Sequence, residues 1–323
     1  MDKAESKAPD KLVQRLLVGV VLGVIVIAVF LFLSDLQEVM GFVRDMPLQY
    51  LALAFLLTFG SYMLRLMKWH LFSRWSGFEI GLWANTKIFF IGLMMSITPG
   101  KAGELIKAYF LQKEADVAYA KSIPIIFFDR LTDLLAMMAL VGIGFLAYPF
   151  GVAPMIILVA LIVIFFMIIQ RKPLITKLID FVTRPSKVHR LRGSLHTFYE
   201  QTLFLMKFRL LSLSFFISVL AWFLECVSLY VLIQAFVDGF SLLASISTFS
   251  LGTLAGALSM IPGGLGAAEG SITGLLMYFG IGGTLAITIS LIIRLVTLWF
   301  GVFIGILVYL WGTVPQRFKV IKQ

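Results

Sequence analysis

The chain has 323 residues, of which 60% are hydrophobic and 14% charged, and its mean hydropathy is +0.99. That composition excludes a soluble globular domain, which needs far more polar surface, and it excludes a long disordered chain. The formal charge of +10, from 27 Lys and Arg against 17 Asp and Glu, argues for no nucleic-acid partner in so apolar a chain and instead reports which side of a bilayer each loop faces. The single cysteine, Cys226, lies in an apolar run and is read as packing, since it has no partner for an internal disulfide.

In chain order, Leu16 to Leu33 are eighteen uncharged residues preceded by Lys3, Lys7, Lys11 and Arg15, with no small-x-small cleavage site at Ser34–Asp35. This predicts a retained first helix rather than a signal peptide. Further apolar runs lie at about 48–66, 82–98, 101–112, 118–147, 152–170, 210–236, 242–261, 265–279 and 284–312. The pieces 82–98 with 101–112, and 242–261 with 265–279, are short and joined by Pro-Gly turns. Each pair therefore predicts a re-entrant helical hairpin or a broken helix, which leaves six full spans. The outer loops 34–47, 148–153, 237–242 and 279–284 carry one basic residue, Arg44, against Asp35, Glu38, Asp45 and Asp238. The segment 171–209 carries nine Lys and Arg against Asp180 and Glu200, and the tail adds Arg317, Lys319 and Lys322. The expected protein is thus an all-α polytopic membrane protein, one transmembrane domain over 1–323, with both termini cytoplasmic and a multi-pass position in the cytoplasmic membrane. Trp69, Trp75, Trp83 and Trp311 then fall in an inner aromatic belt. From Arg190 to Met206, Leu191, Leu195, Phe198, Thr202 and Leu205 keep a spacing of three and four, which fits a helix on the anionic inner leaflet or, more plainly, a solvated connector.

The two Pro-Gly turns are alike. TPGKAGE (98–104) and IPGGLGAAEG (261–270) share P-G-x-x-G, as Pro99, Gly100, Gly103 and as Pro262, Gly263, Gly266, with Gly264 added in the second and a glutamate beyond each, Glu104 and Glu269. Arg130 follows Pro99 by 31 residues and Arg294 follows Pro262 by 32. Each unit, about 82–147 and 242–312, is a hairpin, a turn, a glutamate and an arginine in the next long helix. By the topology above the first hairpin enters from the cytoplasm and the second from outside, the inverted repeat by which many transporters build a midplane site.

An ionisable side chain facing hydrocarbon costs roughly 2.5–3.5 kcal/mol, so such residues collect where they pair or line a wet cavity. Here they are Lys101, Glu104, Lys107, Asp129, Arg130, Asp133, Glu225, Glu269 and Arg294. Arg130 and Arg294 lie about 18 and about 15 Å into their helices from opposite sides, so their guanidiniums approach a common level. With Lys101 and the helix ends at the turns, that level suits a phosphate. Glu104, Glu225 and Glu269 balance the arginines when the site is empty, or meet a cationic head group or a coupling proton. The competing reading has the arginines brace the fold against Glu269 and Glu104, and it is favoured for Lys107 and Asp133 as helix-end decoration. Gly19/Gly23, Gly252/Gly256 and Gly301/Gly305 have the spacing of close helix packing. Chemistry is poorly signalled: His70, His189 and His196 lack metal-ligand spacing, and no Walker A loop, nucleophile elbow or dinucleotide turn is present, so no metal or cofactor is expected. Asp129 and Asp133, at i and i+4, are secondary candidates for an enzyme.

The stretches FIGLMMSITPGKAGELIKAYFL (90–111) and LAGALSMIPGGLGAAEGSITGLL (254–276), with RLMKW (65–69), WFLE (222–225), DRLTD (129–133) and IIRL (292–295), carry a family resemblance. They resemble the transmembrane region of lysylphosphatidylglycerol synthase, also called the flippase-like or UPF0104 membrane family. In founding members that region moves an aminoacylated phospholipid across the cytoplasmic membrane while a separate soluble domain makes it. Beyond Gly312 only eleven residues follow, so the resemblance implies a translocator without the synthase domain. Some relatives are linked to polyprenyl-phosphate carriers, which makes a lipid-linked sugar the other substrate class. The partners implied are membrane lipids with an anionic head group, and a soluble or membrane lipid-modifying enzyme; the oligomeric state stays open. The rivals are a membrane transferase using Asp129 and Asp133, and a non-catalytic partner that recruits a synthase through 171–209.

Overall fold

The computed structural model describes residues 7–98, 103–147, 152–185 and 189–319, and every regular element within them is a helix. The chain runs through α1 (Lys7–Phe32), α2 (Leu36–Asp45), α3 (Leu48–Trp75) and α4 (Leu82–Met94), the last extended by a 3-10 turn at Met95–Ile97. Then come α5 (Ile106–Ala115), α6 (Tyr119–Ala147), α7 (Val152–Ile169), α8 (Lys172–Val182), α9 (Arg192–Leu205) and α10 (Phe208–Gln234). The last part holds α11 (Leu242–Leu258), a 3-10 turn at Pro262–Gly264, α12 (Ala267–Tyr278), α13 (Gly283–Arg294), a π turn at Leu295–Trp299, and α14 (Phe300–Lys319).

Among the described residues, Leu48–Trp75, Phe208–Gln234 and Gly283–Trp311 are long and apolar enough to cross a bilayer as single helices. Two bent pairs bring the number to five if each is one span: Leu16–Phe32 with Leu36–Asp45, at 104°, and Val159–Ile169 with Lys172–Val182, at 78°. α6 has a span's length at 29 residues, or about 43 Å, but carries Lys121, Asp129, Arg130 and Asp133. α4 and α11, with 13 and 17 residues, are shorter, as the Pro-Gly turns lead one to expect. This is the architecture of a polytopic helical membrane protein.

Two local expectations change. Residues 34–47 are no plain loop, because the Asp35 carboxylate accepts from the Gln37 and Glu38 N–H groups at 2.9 and 3.2 Å and so starts α2. The face expected on 190–206 is divided: Leu191 and Leu195 are exposed, Phe198 and Thr202 are half-buried and Leu205 is buried, while α9 packs against α6 and the buried Tyr199 donates its hydroxyl to the Ile169 carbonyl at 2.8 Å. The C-terminal half of α9 thus serves tertiary packing, while its start stays exposed together with an apolar stripe on α8 at Leu174, Leu178, Phe181 and Val182. Asp180 clamps the two helices by accepting from His196 Nε2 at 2.9 Å and Arg192 Nε at 2.8 Å. Those bonds hold its carboxyl below the ordinary carboxylate range.

The core is built where α3 and α10 lie along each other, with α6 and α11 against them. Trp222, Cys226, Leu229 and Leu232 of α10 meet Ala54 of α3, Ala136 and Met137 of α6, and Phe249 of α11. Cys226 is fully buried in this cluster, as packing. Of the expected belt residues, Trp83 and Trp311 are exposed and touch edge to face at 5.6 Å. Trp69 is fully buried instead and donates to Asn85 Oδ1 at 2.7 Å.

The glycine pairs mark close approaches. A Cβ on Gly19 would lie 2.7 Å from Ile97, one on Gly23 2.1 Å from Trp299, and one on Gly252 2.5 Å from Ile272. At Gly305 it would lie 2.4 Å from the Phe90 carbonyl oxygen and 2.6 Å from the Met94 Cβ, neither of which can swing away. Gly305→Ala is therefore expected to destabilise by about 1–3 kcal/mol, read as a lower melting temperature in detergent. Gly142→Ala is the control, since nothing lies within 4 Å of its added Cβ; within helix α6 it is expected to be neutral or slightly stabilising.

Candidate functional site: a buried charge cluster around one cavity

Residues of α3, α4, α6, α10 and α11, together with the second Pro-Gly turn, line a cavity of about 310 Å³. The described part of the first hairpin meets the second Pro-Gly turn there: the Met95–Ile97 turn packs on Pro262–Gly264, and a Cβ on Gly263 would meet the Ile97 Cα at 3.4 Å. Gly263 and Gly264 have φ of 61° and 66°, a left-handed backbone that favours glycine, and both line the cavity. Gly264 also lies so close to α11 that a Cβ would stand 2.9 Å from the Gly256 Cα. In the first turn the Gly103 N–H donates to Thr98 Oγ1 at 2.7 Å, while Pro99, Gly100 and Lys101 lie outside the described residues.

Among the described residues, five cations and five carboxylates share this region. Arg65 of α3 donates to Glu225 of α10 at 2.7 Å, Ser61 adds a bond to the same oxygen at 2.9 Å, and the guanidinium sits 3.9 Å above the Trp222 ring. One turn further along α3, Lys68 is fully buried; its ammonium meets Asp133 at 2.6 Å and Asp129 at 2.8 Å and donates to Ser218 Oγ at 2.7 Å. Arg130 lies on the other side of the aspartates, 2.8 Å from Asp129, 3.2 Å from Asp133 and 3.4 Å from Glu104. Lys107 joins Glu104 at 3.4 Å and lies 4.7 Å from the Trp69 ring centroid. In the second unit, Arg294 Nε donates to Glu269 Oε1 at 2.8 Å while Glu269 Oε2 accepts the Gly266 N–H at 2.7 Å, capping α12. A buried charge is tolerable only when paired in this way, because removing it from water costs several kcal/mol.

Of the residues singled out in the sequence, Glu104, Arg130, Glu225 and Arg294 line this one cavity. Glu269 stands behind Arg294, and Gly266 behind the turn that Pro262 opens, with φ of 81°. The arginines do brace the turns, each within its own unit: Arg130 reaches Glu104, and Arg294 reaches Glu269. Lys107 and Asp133 are not helix-end decoration, since they are only 2% and 4% exposed and both line the cavity. The Asp129/Asp133 pair holds Lys68 between its carboxylates. The histidines stay apart, His70 with Asn85 and Thr86, and His196 with Asp180.

Arg65 and Lys68 were missed. The apolar run stops near residue 66, so both look like basic residues at the inner surface, but α3 continues to Trp75 and carries them inside. A signal was available in the spacing: Thr58, Ser61, Tyr62, Arg65, Lys68 and Trp69 recur every three to four residues on one buried face. Removing Lys68 would leave two aspartates with Arg130 as their remaining strong partner. Lys68→Met is expected to cost about 3–5 kcal/mol, and adding Asp133→Asn should restore part of that loss; melting temperatures in detergent check both.

Comparison with known proteins supplies the context for this arrangement. Residues 20–305 match the family described as "Lysylphosphatidylglycerol synthase TM region". A "UPF0104 membrane protein" of Methanothermobacter thermautotrophicus is 25% identical over 305 residues, covering 87% of this chain and 90% of the relative. A UPF0104 membrane protein of Pyrococcus horikoshii is 21% identical over 315 residues, 88% of this chain and 94% of the relative. A more local match in the Methanothermobacter organism reaches 41% identity but spans 92 residues, 28% of either chain. With most of its length matched, and with the paired Pro-Gly turns and their charges among the matched residues, the chain belongs to the lysylphosphatidylglycerol synthase transmembrane-region family of membrane proteins.

Proposed function

We propose that this protein is a flippase-like transporter that moves a phospholipid or polyprenyl-phosphate-linked lipid, with an anionic or aminoacylated head group, across the cytoplasmic membrane. The observation that carries this reading is the mixed charged and apolar lining of the cavity. Guanidiniums, Lys107 and carboxylates line it together with Leu93, Met137, Phe249, Leu254 and Leu298. An amphiphile fits such a space with its head group among the charged side chains and its chains against the apolar ones. A low-dielectric setting strengthens each contact to the head-group anion, and paired carboxylates keep the empty site near neutrality. The family match supports a membrane protein connected with lipid synthesis or flipping.

In this reading the units 82–147 and 242–312 form an inverted repeat whose hairpins meet at the site, and alternate exposure of the two sides moves the lipid. Six crossings, with both termini and 171–209 in the cytoplasm, complete the topology. A transferase would draw on Asp129 and Asp133, and both are engaged by Lys68, so the transporter is favoured.

Topology is checked by single-cysteine labelling, for which Cys226 is a silent background because it is fully buried. Lys177→Cys, on exposed α8, should react with an impermeant maleimide only from the cytoplasmic side, and Asp238→Cys only from outside. Transport is checked in proteoliposomes holding a head-group-labelled anionic phospholipid, with a membrane-impermeant quencher as readout. The wild-type protein should equilibrate the two leaflets, and Arg130→Ala should slow this at least tenfold. Equal rates for wild type, Arg130→Ala and empty liposomes would remove the reading.

A further inference from the structure

The arginines that face the cavity are not equivalent. Arg294 is tied to the fold through two of its nitrogens: Nε donates to Glu269, and Nη2 donates to the Gly263 carbonyl, which belongs to the second Pro-Gly turn itself. Glu269 in turn holds the Gly266 N–H, and the Ser290 hydroxyl donates to the Glu269 carbonyl at 2.9 Å. A ligand that drew Arg294 away would open this turn. Arg65 and Arg130 differ in that the Nε of each is buried and has no hydrogen-bond partner among the described residues. Arg130 Nε does approach Glu104 Oε2 at 3.4 Å, but without the geometry of a hydrogen bond. The Arg65 side chain is only 9% exposed, and its guanidinium is held by Glu225 on one side and the Trp222 face on the other. Its orientation is thus set before a ligand arrives.

A buried donor without a partner is costly, more so when charged, and that cost is recovered when an acceptor oxygen enters. Two guanidiniums carried by different helices, α3 and α6, suit an acceptor whose oxygens point in several directions. A tetrahedral phosphate meets that requirement better than a planar carboxylate. We propose that Arg65 and Arg130, and not Arg294, form the seat for a phosphate oxyanion in this cavity, and that Arg294 is the tie that closes the second Pro-Gly turn. The phosphate chemistry is shared by a lipid head group and by free inorganic phosphate; that it is a lipid's rests on the transporter reading.

The test uses the full chain in a non-ionic detergent, titrated separately with dioctanoyl phosphatidylglycerol and with inorganic phosphate. Affinity and ligand-free melting temperature are both read. Arg65→Lys and Arg130→Lys keep the positive charge beside Glu225 and the aspartates but remove the guanidinium, so each should weaken phosphatidylglycerol binding at least tenfold with the melting temperature kept within a few degrees. Arg294→Lys should lower the melting temperature and leave the affinity of the folded protein within about twofold of wild type. The double substitution Arg65→Gln/Glu225→Gln, which removes the guanidinium without stranding a buried charge, should show the same binding loss and serves if Arg65→Lys does not fold. Wild-type affinity in Arg65→Lys or in this double variant overturns the proposal, as does an Arg294→Lys loss equal to theirs, or no binding of either ligand to the wild type. If inorganic phosphate binds with the same dependence on Arg65 and Arg130 and the lipid does not, the seat stands and the transporter reading falls. If the lipid binds with that dependence but is not moved in proteoliposomes, the seat again stands and only transport falls.

Discussion

The pairing of buried charge with buried charge governs this structure. Five cations and five carboxylates are set inside an apolar bundle, and each lies within reach of an opposite charge that offsets the cost of taking it out of water. Those pairs cross helices and so fix the relative positions of α3, α5, α6, α10, α12 and α13. α3 is the hub, because Arg65 ties it to α10 and Lys68 ties it to α6. Close packing makes the pairs possible: a Cβ on Gly92 would lie 2.0 Å from the Lys107 Cε, so this lysine can lie buried across α4 only where α4 has no side chain.

The two Pro-Gly turns use the same chemistry to different degrees. In the second, a glutamate caps the following helix, an arginine binds both the glutamate and the turn's backbone, and three left-handed glycines make the path. In the first, Glu104 is held at 3.4 Å by both Lys107 and Arg130, and Arg130 spends its short contact on Asp129. Long contacts of this kind are weaker and easier to exchange for a ligand's oxygens. The second turn thus reads as the fixed wall of the cavity and the first as the wall whose charges can be redistributed.

That division joins the fold to the proposed function. A cavity for an amphiphile needs one rigid side to hold its shape and one side with cations that can trade partners, and transport needs those cations to let the ligand go. Cations already neutralised by nearby carboxylates bind an anion less tightly than bare ones, which suits passage more than storage. The exposed apolar stripe on α8, beside Lys172 and Lys177, lies outside this machinery; its composition is that of a helix at a membrane surface.

Much of this was legible in the amino-acid sequence alone. Membrane class, helical architecture, broken helices at the Pro-Gly turns, and the candidacy of Glu104, Arg130, Glu225 and Arg294 all follow from local signals, since bilayer solvation makes breakers and charges costly wherever they fall. The roles of Arg65, Lys68, Lys107 and Asp133 did not follow, because a basic or acidic residue near the end of an apolar run looks the same whether it faces water or turns inward. Only the extension of α3 to Trp75 and its packing on α6 and α10 decided that. The same holds for the amphipathic helices: a spacing of three and four marks an apolar face on α8 and α9 alike, and tertiary packing alone decided that the C-terminal half of α9 packs on α6 while α8 and the start of α9 keep apolar side chains exposed. Periodicity states that a face is apolar; which surface covers it is a property of the assembled chain.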